Sequence, residues 1–234
     1  TDLEKKHGLH VPIRVYPMIE NALRNHLGRD LATHMAEVGK MFSGFSEVAA
    51  LQPQHSWFPT AHTPEDMIDP TSAGNRMVSL PYTKYMCAVM DVDQSAAVIM
   101  MSLAEARRRG VAEEKLVYLH GCAETIEKEL LKRPELHRSP AMEEMGRALT
   151  SSANITLDQI GYKDIYSCFP VAVSVVAREL GFEATDGHQL TLTGGLPFHG
   201  GPGSNYSMHG IVALVDKLRV DPAAYGLITA NGGF

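Results

Sequence analysis

From Asn75 to the C-terminal end, short apolar runs alternate with segments of helical period, and that alternation restricts the chain to an α/β fold with a largely parallel sheet. "SAAVIMMS" (95–102) predicts a buried strand, and "LAEARRRG" a helix stopped by Gly110. "EKLVYLHGCAE" (114–124) predicts the next strand. "SPAMEEMGRALTSS" predicts a helix with Ser139 as N-cap and Pro140 in its first position. "KDIYSCF" (163–169) is a further expected strand, followed by a helix from Pro170 to Gly181. "SMHGIVALVDKLR" predicts the last helix and "YGLITAN" (225–231) the last strand.

The first 75 residues have a different pattern. "YPMIENALRNHLG" places Tyr16, Ile19, Leu23 and Leu27 on one helical face, and "RDLATHMAEVGKMFSGFSEVAA" spaces Leu31, Met35, Val38, Phe42 and Phe45 in the same way. Prolines at 53, 59, 64 and 70 then forbid a continuous helix. We therefore expect a helical cap or loop region over 1–75 and an α/β domain over 76–234, with Trp57 and its proline-rich surroundings as a lid or an assembly contact. Both ends read as cut, since Thr1 is not an initiator Met and the chain stops just beyond a strand.

Composition narrows the classes of partner. At 44% hydrophobic over 234 residues a sizeable core can be buried. A formal charge of -6 with scattered Lys and Arg gives no basic stripe for a phosphate backbone, so nucleic acid is not an expected partner. No apolar run approaches the roughly 20 residues that span a bilayer, so no membrane span is expected. Cys87, Cys122 and Cys168 lie far apart, which fits a reducing, cytoplasmic setting better than a disulfide framework or a zinc site. His120 and Glu124 are four apart only on paper, because a strand is expected there, and no metal is inferred.

The chemistry concentrates in "TGGLPFHGGPGSNYSMHG" (193–210), which holds six glycines, two prolines and two histidines between an expected strand and helix. Such a loop is costly to order and implies close backbone approach to something. Its free N–H groups would suit a phosphate or a developing oxyanion. No Lys follows to complete a G-x-x-x-x-G-K-[ST] loop, and "GGPGSN" misses the G-x-G-x-x-G spacing. His199 is placed to act as a base or as a donor to a carbonyl; the alternative is that it packs or faces solvent. His209 reads as structural. Asn205 and Tyr206 either cap the following helix or line a pocket. Cys168 sits at a strand end, where nucleophiles are often exposed, but nothing local depresses its pKa; Tyr166 and Ser167 share that ambiguity.

Taken together, these segments resemble the C-terminal half of the thiolase superfamily. Residues 75–110 are similar to the family's Asn-Asp-Gly-Ala-Ala strand and Arg-Arg-Gly helix end, with Asp93, Ala96 and Ala97 matching. "DIYSCFPVAVSVVARELG" resembles the strand and helix around His-Asp-Cys-Phe of the sterol-carrier type, with Cys168 and Phe169 matching. "TGGLPFHGGPG" resembles Gly-Gly-x-x-x-x-Gly-His-Pro, "LITANGGF" the final Cys-x-Gly segment, and "HGLHVPIRVYPMIENALR" the cap over the coenzyme A pantetheine arm.

The resemblance implies a layered βαβαβ domain, incomplete relative to the family, and an acyltransferase that moves acyl groups as coenzyme A thioesters in lipid metabolism. Coenzyme A or acyl-CoA would be substrate, with no covalently bound cofactor. Gly194, Gly195, Gly200, Gly201, Pro202, Asn205 and Tyr206 would line the acyl or pantetheine crevice, with His199, Tyr166 and Cys168 as the catalytic candidates. The implied assembly is a homodimer or hetero-oligomer through thiolase-type sheet pairing.

Departures from the pattern are specific. Gly201 stands where the family has the Gly-His-Pro histidine, Tyr166 where an Asn or His positions water, and Ala230 where the second Cys acts as acid or base. The acyl-accepting Cys belongs to the family's other half. The pattern is nearest to the divergent thiolase-like group labelled acetyl-CoA acetyltransferases. The rival implied reading is a homologue that binds coenzyme A, or serves as a scaffold, without catalysis.

Overall fold

The computed structural model describes residues 1–232. The last two residues of the "LITANGGF" segment, Gly233 and Phe234, lie outside the described residues. A short helix α1 (Asp2–Lys6) precedes α2 (Pro12–His26) and α3 (Leu31–Ala50), which cover the two expected helical segments. Tyr16, Ile19 and Leu23 are buried, as are Met35, Val38, Phe42 and Phe45, so both apolar faces point inward. Leu31, in the first turn of α3, is exposed. Then come α4 (Pro64–Ile68), an antiparallel pair β1 (Met77–Ser79) and β2 (Tyr82–Thr83), α5 (Leu103–Arg108) and α6 (Pro140–Ala153).

The Ser139 hydroxyl caps α6, accepting from Met142 N–H at 3.3 Å. Strand β3 (Ile160–Asp164) leads to α7 (Pro170–Glu179), α8 (Gly195–Phe198), α9 (Tyr206–Val220) and β4 (Tyr225–Ile228). β3 and β4 pair in parallel, with Asp164 opposite Ile228, and α7 to α9 form the crossover that a parallel pair requires. One hydrophobic cluster runs from Val15 to Leu227 across residue 75, and Tyr16 of α2 stacks on Phe169 with ring centroids 4.6 Å apart.

The sequence expectations for strands need correcting in three places. Residues 95–102 and 114–124 form no strand: Glu113–Lys115 is a short 3-10 turn, and no strand among the described residues lies alongside either stretch to complete a ladder. The third expected strand begins and ends early. After Asp164 the Ile165 N–H turns to Leu190 O at 2.9 Å, which takes the chain off the β4 ladder and into the loop before α7. The fold is mixed helix and strand, with two small two-stranded sheets among the described residues.

Candidate functional site

The site is built on the C-terminal end of β3. Asp164 is fully buried, and its carboxylate gathers five donors. Oδ2 accepts from Thr191 Oγ1 (3.0 Å), Leu192 N (2.9 Å), Thr193 N (3.1 Å) and Thr193 Oγ1 (3.1 Å), while Oδ1 accepts from the Tyr206 hydroxyl at 3.0 Å. Burial pushes the Asp164 pKa up, against the pull of the hydrogen bonds. The carboxylate thus ties β3, the turn before the glycine loop and the start of α9 to one point.

The glycines then fit the loop against α3. Gly194 has φ of 100°, and a Cβ there would lie 2.5 Å from Ala49 Cβ and 2.7 Å from the Ala49 backbone; at Gly195, φ 78°, it would lie 2.5 Å from the Phe45 ring and 2.6 Å from Ser167 Oγ. At Gly200 a Cβ would run into Gln94 Oε1. The close approach that the sequence demanded is met, at these positions, by the protein itself. Neighbouring chain holds the loop from outside as well. Trp57 N–H donates to His199 O (2.9 Å), Phe58 N–H to Phe198 O (2.8 Å) and Gln94 Nε2 to His199 O (2.8 Å). The Trp57 segment is therefore hydrogen-bonded directly to the glycine loop.

His199 ends α8 with its ring buried and its Nε2 3.0 Å from Nδ1 of His209, in the first turn of α9. The outer nitrogens, His199 Nδ1 and His209 Nε2, are buried without a hydrogen-bond partner. Burial, and then the neighbouring His209 and His55, bring the His199 pKa down to about 4, and burial with His55 lowers that of His209. Both rings are neutral at pH 7. The Tyr206 ring stands edge-on to His199 (centroids 6.2 Å apart) and to Tyr166 (5.7 Å), which brings the two sequence-predicted residues His199 and Tyr166 into one cluster.

Cys168 follows Tyr166 by two residues and makes no hydrogen bond to either histidine. Its thiol is buried and raised to about 11 by burial, with a hydrogen bond from Tyr16 opposing, so it is protonated at neutral pH. Tyr166 is likewise raised to about 12 by burial. Gly201 N–H donates to Val89 O at 2.8 Å, and Pro202 opens the turn that follows. Asn205 does not cap α9: its side chain accepts from Ala96 N at 2.8 Å and donates to Ala96 O at 3.2 Å, pinning the segment at 96. No group of three or more His, Cys, Asp or Glu among the described residues could hold a metal ion.

The depressed His199 pKa has a consequence for stability. Between pH 6.5 and about 4 the unfolded chain binds a proton that the folded ring does not, so stability falls as pH drops through this window. The difference of roughly 2.5 pKa units corresponds to on the order of 3 kcal/mol. His199→Gln is expected to lose correspondingly less stability than wild type between pH 7 and pH 4.5 in urea titrations. Equal losses would show that His199 is not the source.

With this geometry in view, the solved structures give a relationship. A monomeric SCP2-thiolase like protein type 1 from Mycobacterium smegmatis is 42% identical, with a TM-score of 0.91, over 98% of this chain and 50% of that chain. The fold is thiolase-like. The chain also resembles the Ltp2-ChsH2(DUF35) aldolase structure, with a TM-score of 0.64 over 91% of this chain and 56% of that one; at 18% identity the likeness is one of fold alone. The chain spans about half the length of the mycobacterial structure. No protein-family model and no curated protein matches the chain.

Two buried groups escaped the sequence reading of this thiolase-like fold. Asp164 was legible only as one polar residue inside an expected strand, although a carboxylate at a strand's end followed later by Thr-x-Thr was a usable signal. The second is Glu20, whose carboxylate accepts from the Tyr82 hydroxyl and bonds His34 Nε2, both at 2.7 Å, linking α2, α3 and β2. Glu20 and His34 line a cavity of about 390 Å³, and a second, of about 440 Å³, lies between α3 and residues 185–188; neither is lined by His199 or Tyr166.

Proposed function

We propose that this chain is the part of a thiolase-like acyl-CoA acyltransferase that carries the cap helices and the glycine loop of a layered βαβαβ domain. The observation that supports this most is the neutral His199–His209 pair, buried beside Tyr166 and Tyr206 at the C-terminal end of β3, where α/β folds place their chemistry. A neutral imidazole can take the proton of an attacking thiol, or donate to the thioester oxygen as charge develops there. In this reading His199 has that role and the loop from Gly194 to Tyr206 borders the acyl or pantetheine crevice. Cys168, protonated and buried, supports the pocket wall, and the sulfur nucleophile is supplied from outside residues 1–234. Coenzyme A thioesters are the substrate, and the working compartment is the cytoplasm.

Calorimetric titration with coenzyme A and acetyl-CoA, followed by a thiolysis assay on the same sample of the protein purified from its own cells, tests this. Saturable binding with turnover is expected. His199→Ala should cut turnover by roughly 10² to 10³ while leaving coenzyme A affinity within a few-fold. Unchanged turnover in that variant would remove His199 from the chemistry.

A second reading is a coenzyme A-binding or scaffold homologue without catalysis. It is favoured by the Gly201 N–H, already taken by Val89 O, and by Gly201 and Ala230 standing where the family has acid–base groups. Binding without turnover would establish it. The aldolase structure names a DUF35 component, and a hetero-oligomer is accordingly the assembly we propose over a homodimer.

A further inference from the structure

The cavity of about 390 Å³ between α2, α3 and the turn at 80–81 has walls that favour one kind of ligand. Pro17, Met18, Leu31, Leu80 and Pro81 make it mainly apolar. Met18, Leu31 and Leu80 stay 41%, 43% and 67% exposed, so it opens to solvent across apolar side chains. The cavity beside residues 185–188 differs in this respect. Lys40, Glu47, Asp186 and His188 line it, ionisable groups of both signs that favour no single ligand charge.

The apolar cavity is also held in shape. Glu20 in its wall bonds the Tyr82 hydroxyl and His34 Nε2 at 2.7 Å each, which locks α2, α3 and β2 together around it. Those bonds occupy both carboxylate oxygens of Glu20, which is 0% exposed, so no free carboxylate oxygen faces the cavity. Preformed, mostly apolar cavities of about 300–1,000 Å³ with a few fixed polar groups are the usual form of small-molecule sites.

Arg24, the last of the α2 residues that line the cavity, supplies the polar group. Its Nε and Nη2 donate to Asn21 Oδ1 (3.0 and 2.9 Å) and its Nη1 to Arg29 O (2.6 Å), which fixes the guanidinium in place. One N–H on each terminal nitrogen is left over. No ion pair among the described residues includes Arg24. Asp30 feels the Arg24 charge, but its carboxylate is committed to capping α3 through Thr33. A fixed guanidinium with donors to spare pairs more strongly with a carboxylate than with a neutral acceptor. One guanidinium matches one negative charge, and apolar walls disfavour the second charge of a phosphate.

We propose that this cavity binds a small amphipathic carboxylate, with its headgroup on Arg24 and its hydrocarbon body along Met18, Leu31 and Leu80. The site is separate from the histidine pair, and it does not rest on the acyltransferase reading.

The test titrates octanoate into the protein purified from its own cells, by calorimetry, and reads hydrogen exchange by mass spectrometry on the same sample. Saturable heat is expected, with slowed exchange in peptides spanning 15–34 and 78–83 and unchanged exchange over 193–210. Removing the ligand's charge, with 1-octanol, or the protein's, with Arg24→Gln, should each weaken binding by roughly 10- to 100-fold, the span of a hydrogen bond to a charged group. Met18→Glu is a second variant that leaves the Arg24 bonds at the end of α2 intact. It stands at a partly exposed helical position that accepts Glu, and it should abolish binding by placing a like charge in the apolar wall. Octanoyl-CoA, whose acyl carbonyl is a thioester, should leave exchange over 15–34 and 78–83 unchanged. Protection there by octanoyl-CoA would assign the cavity to the thioester and overturn the proposal. The absence of saturable heat with octanoate overturns it equally, as do 1-octanol binding as tightly as octanoate and protection confined to 193–210.

Discussion

Asp164→Ala is expected to destabilise the protein by about 4 to 6 kcal/mol, the largest effect of any single side-chain truncation in the β3–α9 region. The substitution strands five buried donors at once: two Thr hydroxyls, two backbone N–H groups and the Tyr206 phenol. Each orphaned buried donor costs roughly 1–3 kcal/mol. Part is recovered, because the Thr193 and Tyr206 hydroxyls already lie 2.9 Å apart and Thr193 N also reaches Thr191 Oγ1 at 3.3 Å. Asp164→Asn should cost less, about 1–2 kcal/mol. Its amide oxygen can occupy the position that serves four donors, while its NH₂ turns toward Tyr206, whose hydroxyl then donates to Thr193. Urea titrations followed by far-UV circular dichroism, with the single tryptophan, Trp57, as a second probe, give the order. If alanine and asparagine were equivalent, a single amide oxygen of the same volume would not be replacing the carboxylate, and the four donors on Oδ2 would not be the source of the loss.

Gly194→Ala is the second large effect, on the order of 3 to 5 kcal/mol. Two costs combine there. A residue with Cβ must adopt φ of 100°, which costs roughly 1–3 kcal/mol. Its methyl group would also have to displace the α3 backbone at Ala49, and overpacking a filled site costs a further 1–3 kcal/mol. Gly181→Ala separates the two. Its φ is 71°, but nothing lies within 4 Å of a Cβ there, so it should show only the backbone cost, about 1 kcal/mol. Equal losses at 181 and 194 would mean that the loop can move off α3 freely.

These two positions also show which parts of the fold could be read from sequence. The helices were legible because their signals are local. Pro170 and Gly181 bracket α7, Ser139 caps α6, and the apolar spacing in α2 and α3 predicts the faces that are buried. A strand's signal is only half local. "SAAVIMMS" shows that a side of the chain seeks burial, but not what lies alongside, and no strand among the described residues does.

The candidate site lies further still from local patterns. The glycine loop announced close approach, yet its neighbours, Ala49 and Phe45, come from a helix about 150 residues earlier. Asp164 gains its meaning only when Thr191 and Thr193 fold back onto it. His209 reads from sequence as one more helical residue, and it meets His199 because the turn at Gly203–Asn205 reverses the chain between α8 and α9.

The histidine pair carries a consequence for whatever it meets. While both rings are neutral they share two protons over four nitrogens, and one of those protons lies between the rings. The other must sit on one outer nitrogen, so one end of the pair is a donor and the opposite end an acceptor. Moving both protons along the pair inverts the two ends together. The polarity that His199 Nδ1 shows to the interior is thus set by what stands at His209 Nε2, one ring away.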